Sequence, residues 1–171
     1  MRLGAIAALI KALADKDADV CECAAASLGM LGDKIAVPSL TAALQDKNSN
    51  LRQLASQALG YLADRRATSA LIEALEDSNG SVRLSAIRAL QAIGDASAVP
   101  ALVILLERYT AKRGYADDEV INSSLLAIEE LARERAVPVA ERFKSHPDAA
   151  VRQTALLVLL RHARSKRSKR T

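Results

Sequence analysis

Leucine and valine recur along the chain at an interval of 31 residues. One series consists of Leu9, Leu40, Leu71 and Leu102, and a parallel series of Leu13, Leu44, Leu75 and Leu106. A third series, called the marker residues below, consists of Val20, Leu51, Val82, Val120 and Val151, with one interval lengthened to 38 residues. Self-similarity at such a period is the signature of stacked supersecondary units.

Each unit carries the pattern of two helices. In the second unit, apolar residues recur at helical spacing over 37–44 and over 51–62, with a polar turn between them. Prolines at equivalent places fit the first turn of the first helix, where a missing N–H costs nothing; they are Pro38, Pro100 and Pro138. The second helices are predicted to end at Gly32, Ala63 and Gly94, small residues suited to a tight helix exit. We see no strand pattern, so the fold class is all-α.

The 31-residue period divides the chain into five repeats. Their ranges are about 3–34, 35–65, 66–96, 97–134 and 135–163. The fourth is longer, and we place its extra residues in a loop insertion at 108–116. The segment 164–171 has no apolar residue to bury, so it is predicted to be a basic, disordered tail. Stacking would give the five helix pairs one continuous core, because a single pair cannot bury its apolar face alone.

Charge and composition limit the classes of function. Six of the 24 basic residues lie in the last eleven positions, which leaves 18 basic against 20 acidic residues elsewhere. The near-neutral body argues against DNA binding by the repeats. The tail could contact nucleic acid or an acidic partner weakly, or it could be a plain solvated terminus. Cys21 and Cys23 point to different sides of a helix and cannot easily bridge. With no apolar stretch long enough to span a bilayer, we predict a soluble cytoplasmic protein.

The repeats resemble a known family. The segment AVPSLTAALQDKNSNLRQLASQALGYLAD resembles HEAT repeats, in particular the bacterial HEAT-like type named after phycobilisome lyases. The resemblance covers about residues 3–163 and implies a right-handed α-α superhelix of about five two-helix repeats. It also implies a structural ladder of acidic and basic residues between adjacent units, formed here by Asp15, Asp46, Asp77, Arg52, Arg83 and Arg152. Cys21 and Ile121 replace arginine in the first and fourth repeats and interrupt it.

The same resemblance places the second helices on the concave side. Their outward positions lie two, three, six and ten residues after the marker and vary between repeats, as expected of a binding surface on a uniform scaffold. The candidate partner-binding residues are Leu54, Gln57, Tyr61, Leu84, Arg88, Leu126 and Glu130. Tyr and Arg are enriched at interface hot spots, which favours Tyr61 and Arg88. The insertion supplies a second set: Tyr109, Lys112, Arg113 and Tyr115. A surface loop without function is the alternative for it.

These patterns favour a non-catalytic scaffold or adaptor that binds another protein. We identify no catalytic residue, metal site or cofactor, since neither His146 nor His162 has a visible partner set. The alternative from the family resemblance is a phycobilin lyase-like subunit or bilin chaperone acting on a phycobiliprotein. A consensus-like engineered or truncated scaffold is a third hypothesis, although Cys21, Gln91 and the insertion look natural. We expect a monomer or weak oligomer.

Overall fold

A computed structural model describes residues 2–111 and 118–168 of the chain. All of the regular structure in these two ranges is helical, which confirms the all-α prediction. The chain divides into two compact units, Met1–Ala98 and Val99–Thr171. The first unit holds the first three repeats, and the second unit holds the fourth and fifth.

Six helices form three pairs in the first unit. They are α1 (Arg2–Ala12), α2 (Ala18–Leu31), α3 (Val37–Ala43), α4 (Ser49–Leu62), α5 (Thr68–Ala74) and α6 (Gly80–Ile93). Single 3-10 turns at Lys34–Ala36, Arg65–Ala67 and Ala96–Ala98 follow the second helix of each pair. Each first helix packs on its own second helix, and the second helices pack on one another in the order α2, α4, α6. The second helices are therefore the continuous layer of this unit.

The described residues of the second unit form four helices. They are α7 (Val99–Ala111), α8 (Asp118–Leu131), α9 (Arg133–Phe143) and α10 (Ala149–Ser168). The helix α8 packs on α7, α9 and α10, and α9 packs on α10. This arrangement repeats the pairing of the first unit, with α8 and α10 as the second helices.

Caps define where the second helices of the first unit begin and end. Asn48 and Asn79 each accept a hydrogen bond from the backbone N–H two residues later, which satisfies a donor that has no partner inside the helix. At the other end Gly32, Ala63 and Gly94 adopt the left-handed conformation, with φ of 68°, 45° and 72°. The helix exits predicted from small residues therefore lie at these positions, although alanine is strained in this region.

The core consists of the apolar series that defines the period. Leu40, Leu71 and Leu102 are fully buried, as are the marker residues from the second repeat onward. One position stays small in every repeat and is buried throughout; it is occupied by Ala24, Ala55, Ala86, Ser124 and Ala155. Small side chains at this position let neighbouring helices approach closely.

The structure corrects two predicted boundaries. The loop insertion was predicted at 108–116, but α7 continues through Ala111, so the first four of these residues are helical. The tail was predicted to be disordered over 164–171, but α10 continues through Ser168. Lysine and arginine are good helix formers, which fits the continuation of the helix through a segment without apolar residues. Residues 169–171 lie outside the described part of the chain.

Candidate protein-binding surface

The helix α4 presents one uninterrupted outward row. Leu54, Gln57 and Tyr61 are spaced by three and four residues, so they lie on the same side of the helix. Leu54 and Gln57 are half-buried, whereas the Tyr61 side chain is 74% exposed. The opposite side of α4, which includes Leu51 and Leu59, is buried in the core. This row is therefore a partly apolar surface with an exposed aromatic residue at its end.

Tyr61 lies beside a tight contact between α4 and α2 at Gly29. A Cβ atom added to Gly29 would lie 2.8 Å from Cα of Ala58 and 3.3 Å from Cδ2 of Tyr61. The absence of a side chain at Gly29 thus lets the two helices touch and leaves room for the edge of the tyrosine ring. The backbone of α2 supports one edge of the ring, while most of the side chain faces solvent.

The next second helix, α6, adds Leu84 and Arg88. Leu84 is half-buried and Arg88 is exposed, one helical turn further along. Ser85 occupies an outward position in the predicted pattern, but it is buried. The outward face of α6 is therefore narrower than predicted, because the third position after the marker is buried. Since α6 packs on α4, the candidates Leu54, Gln57, Tyr61, Leu84 and Arg88 belong to adjacent helices of one unit.

The remaining candidates belong to the second unit. Leu126 and Glu130 are exposed and lie one turn apart on α8. Tyr109 is half-buried on α7 and is part of a helix, contrary to its predicted position in a loop. Lys112, Arg113 and Tyr115 fall outside the described residues. Of the four insertion candidates, the structure therefore describes Tyr109.

The sequence patterns did not predict a buried carboxylate on α8. Glu129 follows Leu126 by three residues, is nearly buried, and binds Nη1 of Arg161 on α10 at 3.0 Å. Its position in the repeat is that of Gly29 and Gly60 in the first unit. A charged residue at a position that is glycine in the first two repeats was the signal that could have revealed this pair between two second helices.

A bidentate ion pair joins the second and third repeats. Nε and Nη2 of Arg52 donate to the two carboxylate oxygens of Asp77 at 2.6 and 2.8 Å. Nη1 of Arg52 donates to the backbone carbonyl of Asp46 at 2.9 Å, in the turn before its own helix. Because this guanidinium donates to the Asp77 carboxylate, the pKa of Asp77 lies below its usual range and that of Arg52 above it.

The other predicted ladder residues make local contacts. Nη1 of Arg83 donates to the carbonyl of Asp77, and Nη1 of Arg152 donates to that of His146, each six residues earlier. The thiol of Cys21 donates to the carbonyl of Asp15 over the same sequence distance, so cysteine keeps this local bond where arginine is missing. The carboxylates of Asp15 and Asp46 accept the backbone N–H two residues later. Among these six predicted residues, Arg52 and Asp77 form a contact between two repeats.

Groups of three or more His, Cys, Asp or Glu that could hold a metal ion do not occur among the described residues. The carboxyl group of Asp64 has a pKa of about 2 because the Arg66 side chain donates to it. This is a surface ion pair beside a 3-10 turn. None of the described helices has the length and hydropathy to cross a membrane.

Comparisons with known proteins agree with this geometry. The family model for HEAT repeats matches residues 3–56 and 37–116. The structure is similar to a chain in the complex of CpcE and CpcF of phycocyanin lyase from Nostoc sp. PCC7120, with 29% identity and a TM-score of 0.78. The match covers 90% of this chain but 63% of that one. The structure is also similar to a designed armadillo repeat protein in complex with a (KR)4 peptide, with 21% identity and a TM-score of 0.66. This match covers 91% of this chain and 81% of the designed protein, and it supports the fold alone. No curated protein matches the sequence significantly.

Proposed function

Because the chain belongs to the HEAT-repeat family, we propose that it is a non-catalytic scaffold that binds a partner protein through the outward residues of its second helices. The observation that carries the proposal is Tyr61, an aromatic side chain that is 74% exposed and supported by a neighbouring helix. Large aromatic residues are usually covered in a folded protein, and an exposed one beside other apolar groups marks an interaction site.

The surroundings of Tyr61 have the composition of an interface centre. Leu54 on the same helix and Leu84 on the next are half-buried and offer apolar contact. Arg88 is exposed on α6 and adds a directed cationic group. Tyrosine and arginine are the residue types that most often carry binding energy, because each combines contact area with polar groups. A partner with an apolar segment beside an acidic group fits this surface.

Site-specific crosslinking tests the position of the surface. The photoreactive amino acid benzoylphenylalanine is placed at Tyr61 in one variant and at Ser69, which is exposed on the first helix α5, in a control variant. We expect illumination in the source cell to trap the same partner repeatedly from position 61 and not from position 69. Equal trapping from both positions would assign the partner to another surface.

Affinity measurement with the trapped partner tests the energetics. Combining Tyr61→Ala with Arg88→Glu should weaken the Kd at least ~30-fold, the equivalent of about 2 kcal/mol for one hot-spot residue. The control Glu73→Arg reverses a charge on the exposed side of α5 and should leave the Kd unchanged. Circular dichroism must show that all variants are folded. A double variant that binds like the wild type would contradict the proposed surface.

The similarity to a phycocyanin lyase complex favours one second candidate. A lyase-like or bilin-chaperone subunit would need an apolar surface and a cation for the propionates of the tetrapyrrole, which Leu54, Tyr61 and Arg88 could supply. Addition of biliverdin to the purified chain, with and without a phycobiliprotein subunit, tests it. A shift of the visible absorption supports the bilin function, and an unchanged spectrum leaves the scaffold function.

A further inference from the structure

The last described helix pair exposes an apolar surface that the earlier repeats cover. The fifth residue after the marker is buried in each of the first four repeats, where it is Ala25, Ser56, Ile87 and Leu125. In the fifth repeat it is Leu156, which is 48% exposed, and four residues later Leu160 is 60% exposed. These leucines line a groove of about 440 Å3 beside Val137 and Glu141 of α9. We call this surface, formed by Val137, Leu156, Leu159 and Leu160, the C-terminal face.

The first repeat shows the complementary pattern. Leu9 and Leu13 are half-buried, whereas the leucines 31 and 62 residues later are buried. The marker Val20 is 40% exposed, although the later marker residues are buried. Leu3 at the start of α1 is exposed as well. These four residues form what we call the N-terminal face, which is the side that a preceding repeat would cover.

Each face carries one half of the ion pair that joins the second and third repeats. In that pair the arginine one residue after a marker binds the aspartate five residues before the next marker, as Arg52 binds Asp77. In the fifth repeat, Arg152 is the arginine one residue after the marker. In the first repeat, Asp15 is the aspartate five residues before the marker.

Arg152 is held in the same way as Arg52 in the complete pair. Nη1 of Arg152 donates to the carbonyls of His146 and Pro147, as Nη1 of Arg52 does in its own turn. Within residues 2–111 and 118–168, no hydrogen bond is described for Nε or Nη2 of Arg152, the atoms that hold the carboxylate in the complete pair. Oδ1 of Asp15 accepts the N–H of Asp17, and the described residues place no cation on this carboxylate.

We propose that the C-terminal face of one copy of this chain stacks on the N-terminal face of a second copy, with Arg152 of the first bound to Asp15 of the second. The stack continues the register of the repeats, so the exposed leucines of one copy cover Leu9, Leu13 and Val20 of the next. Asp17 and Asp19 are exposed beside Asp15, so the N-terminal face offers further carboxylates near the position that Arg152 would take. The two faces differ, so the contact is heterologous and leads to higher oligomers unless it closes into a ring.

Charge reversal at the two halves of the pair gives a sharp test. Sedimentation velocity of the wild-type chain should show mass that rises with concentration. Arg152→Asp places two carboxylates at the contact and Asp15→Arg places two guanidinium groups there, so each variant alone should associate at least about tenfold more weakly. An equimolar mixture should associate again, because every contact between unlike variants then pairs opposite charges. A wild type that stays monomeric, or a mixture that stays as dissociated as its components, overturns the proposal and leaves the two faces to a different protein.

Substitution of the leucines tests the apolar part of the contact. Leu160→Glu should abolish the association, whereas the control Leu157→Glu should not, because Leu157 lies at the sixth position after the marker and so on the outward side of α10. Circular dichroism must show both variants folded. Equal association of the two variants would overturn the assignment of the face. The combined Tyr61→Ala and Arg88→Glu variant should associate like the wild type, which separates this contact from the proposed partner-binding surface.

Discussion

Replacement of Gly29 by alanine should destabilise the first unit, although alanine is the better helix former. The added Cβ would lie 2.8 Å from Cα and 2.9 Å from Cβ of Ala58 on α4. Carbon atoms prefer a separation of about 3.5–4.0 Å, so the new methyl group overlaps its neighbours by about 1 Å. The overlap involves the backbone of α4, which cannot rotate away as a long side chain could.

The expected change in the free energy of unfolding is the sum of two opposing contributions. Alanine in place of glycine inside a helix stabilises by about 1 kcal/mol, and overpacking of a tight contact costs about 1–3 kcal/mol. Because backbone atoms must move at Gly29, we expect the upper end of that cost and a net loss of about 1–2 kcal/mol. Gly60→Ala would bring its Cβ 3.1 Å from Cα of Ala89, so the two terms should nearly cancel. Gly4→Ala meets nothing within 4 Å and should stabilise.

Thermal unfolding followed by circular dichroism compares the three variants. A net loss of 1 kcal/mol lowers the Tm of a unit this size by roughly 4–8 °C. We expect the Tm to fall in the order Gly4→Ala, Gly60→Ala, Gly29→Ala, with the last below the wild type. A Gly29→Ala variant at least as stable as Gly4→Ala would refute the argument, since it would mean that α2 and α4 separate without loss of packing.

Three further predictions concern single side chains. Ser124→Ala should stabilise by about 1 kcal/mol in urea unfolding, because Ser124 is fully buried and its hydroxyl has no hydrogen-bond partner among the described residues. Ala63→Gly should raise the Tm, with a gain of about 1 kcal/mol, because Ala63 has a φ of 45° that glycine adopts without strain. Asp77→Asn should destabilise at pH 7 by about 1.5–3 kcal/mol; since Arg52 lowers the pKa of Asp77, the difference from wild type should shrink as the pH falls below about 4.

The sequence alone predicts most of the fold because the period repeats several independent signals. The leucine series marks the buried sides of the helices, and the small residues Gly32, Ala63 and Gly94 mark the exits. The helix ends at Ala111 and Ser168 could not be read this way, because helix continuation there depends on weak local preferences rather than on the buried pattern.

The candidate surface is predictable as a row of positions but not as a set of contacts. Helical spacing places Leu54, Gln57 and Tyr61 on one side of α4 without any knowledge of the neighbouring helices. The burial of Ser85 depends on how α6 is rotated against its neighbours, which a repeat pattern does not specify. The support of Tyr61 by Gly29 joins two repeats and becomes visible only in three dimensions.

The contact between the first two repeats shows how a lost arginine is replaced. An arginine at this position has two functions, to bind the carbonyl of its own turn and to hold the aspartate of the next repeat, as Arg52 does. Cys21 keeps the first function. The second repeat is bound instead through Glu22, whose Oε1 accepts a hydrogen bond from Nδ2 of Asn48 at 2.9 Å, and not through the aspartate Asp46. The side-chain amide of Asn48 is uncharged, so this bond is not an ion pair. Protonation of Asp77, in contrast, removes the charge that binds Arg52. Acid therefore weakens the boundary between the second and third repeats more than the boundary between the first and second.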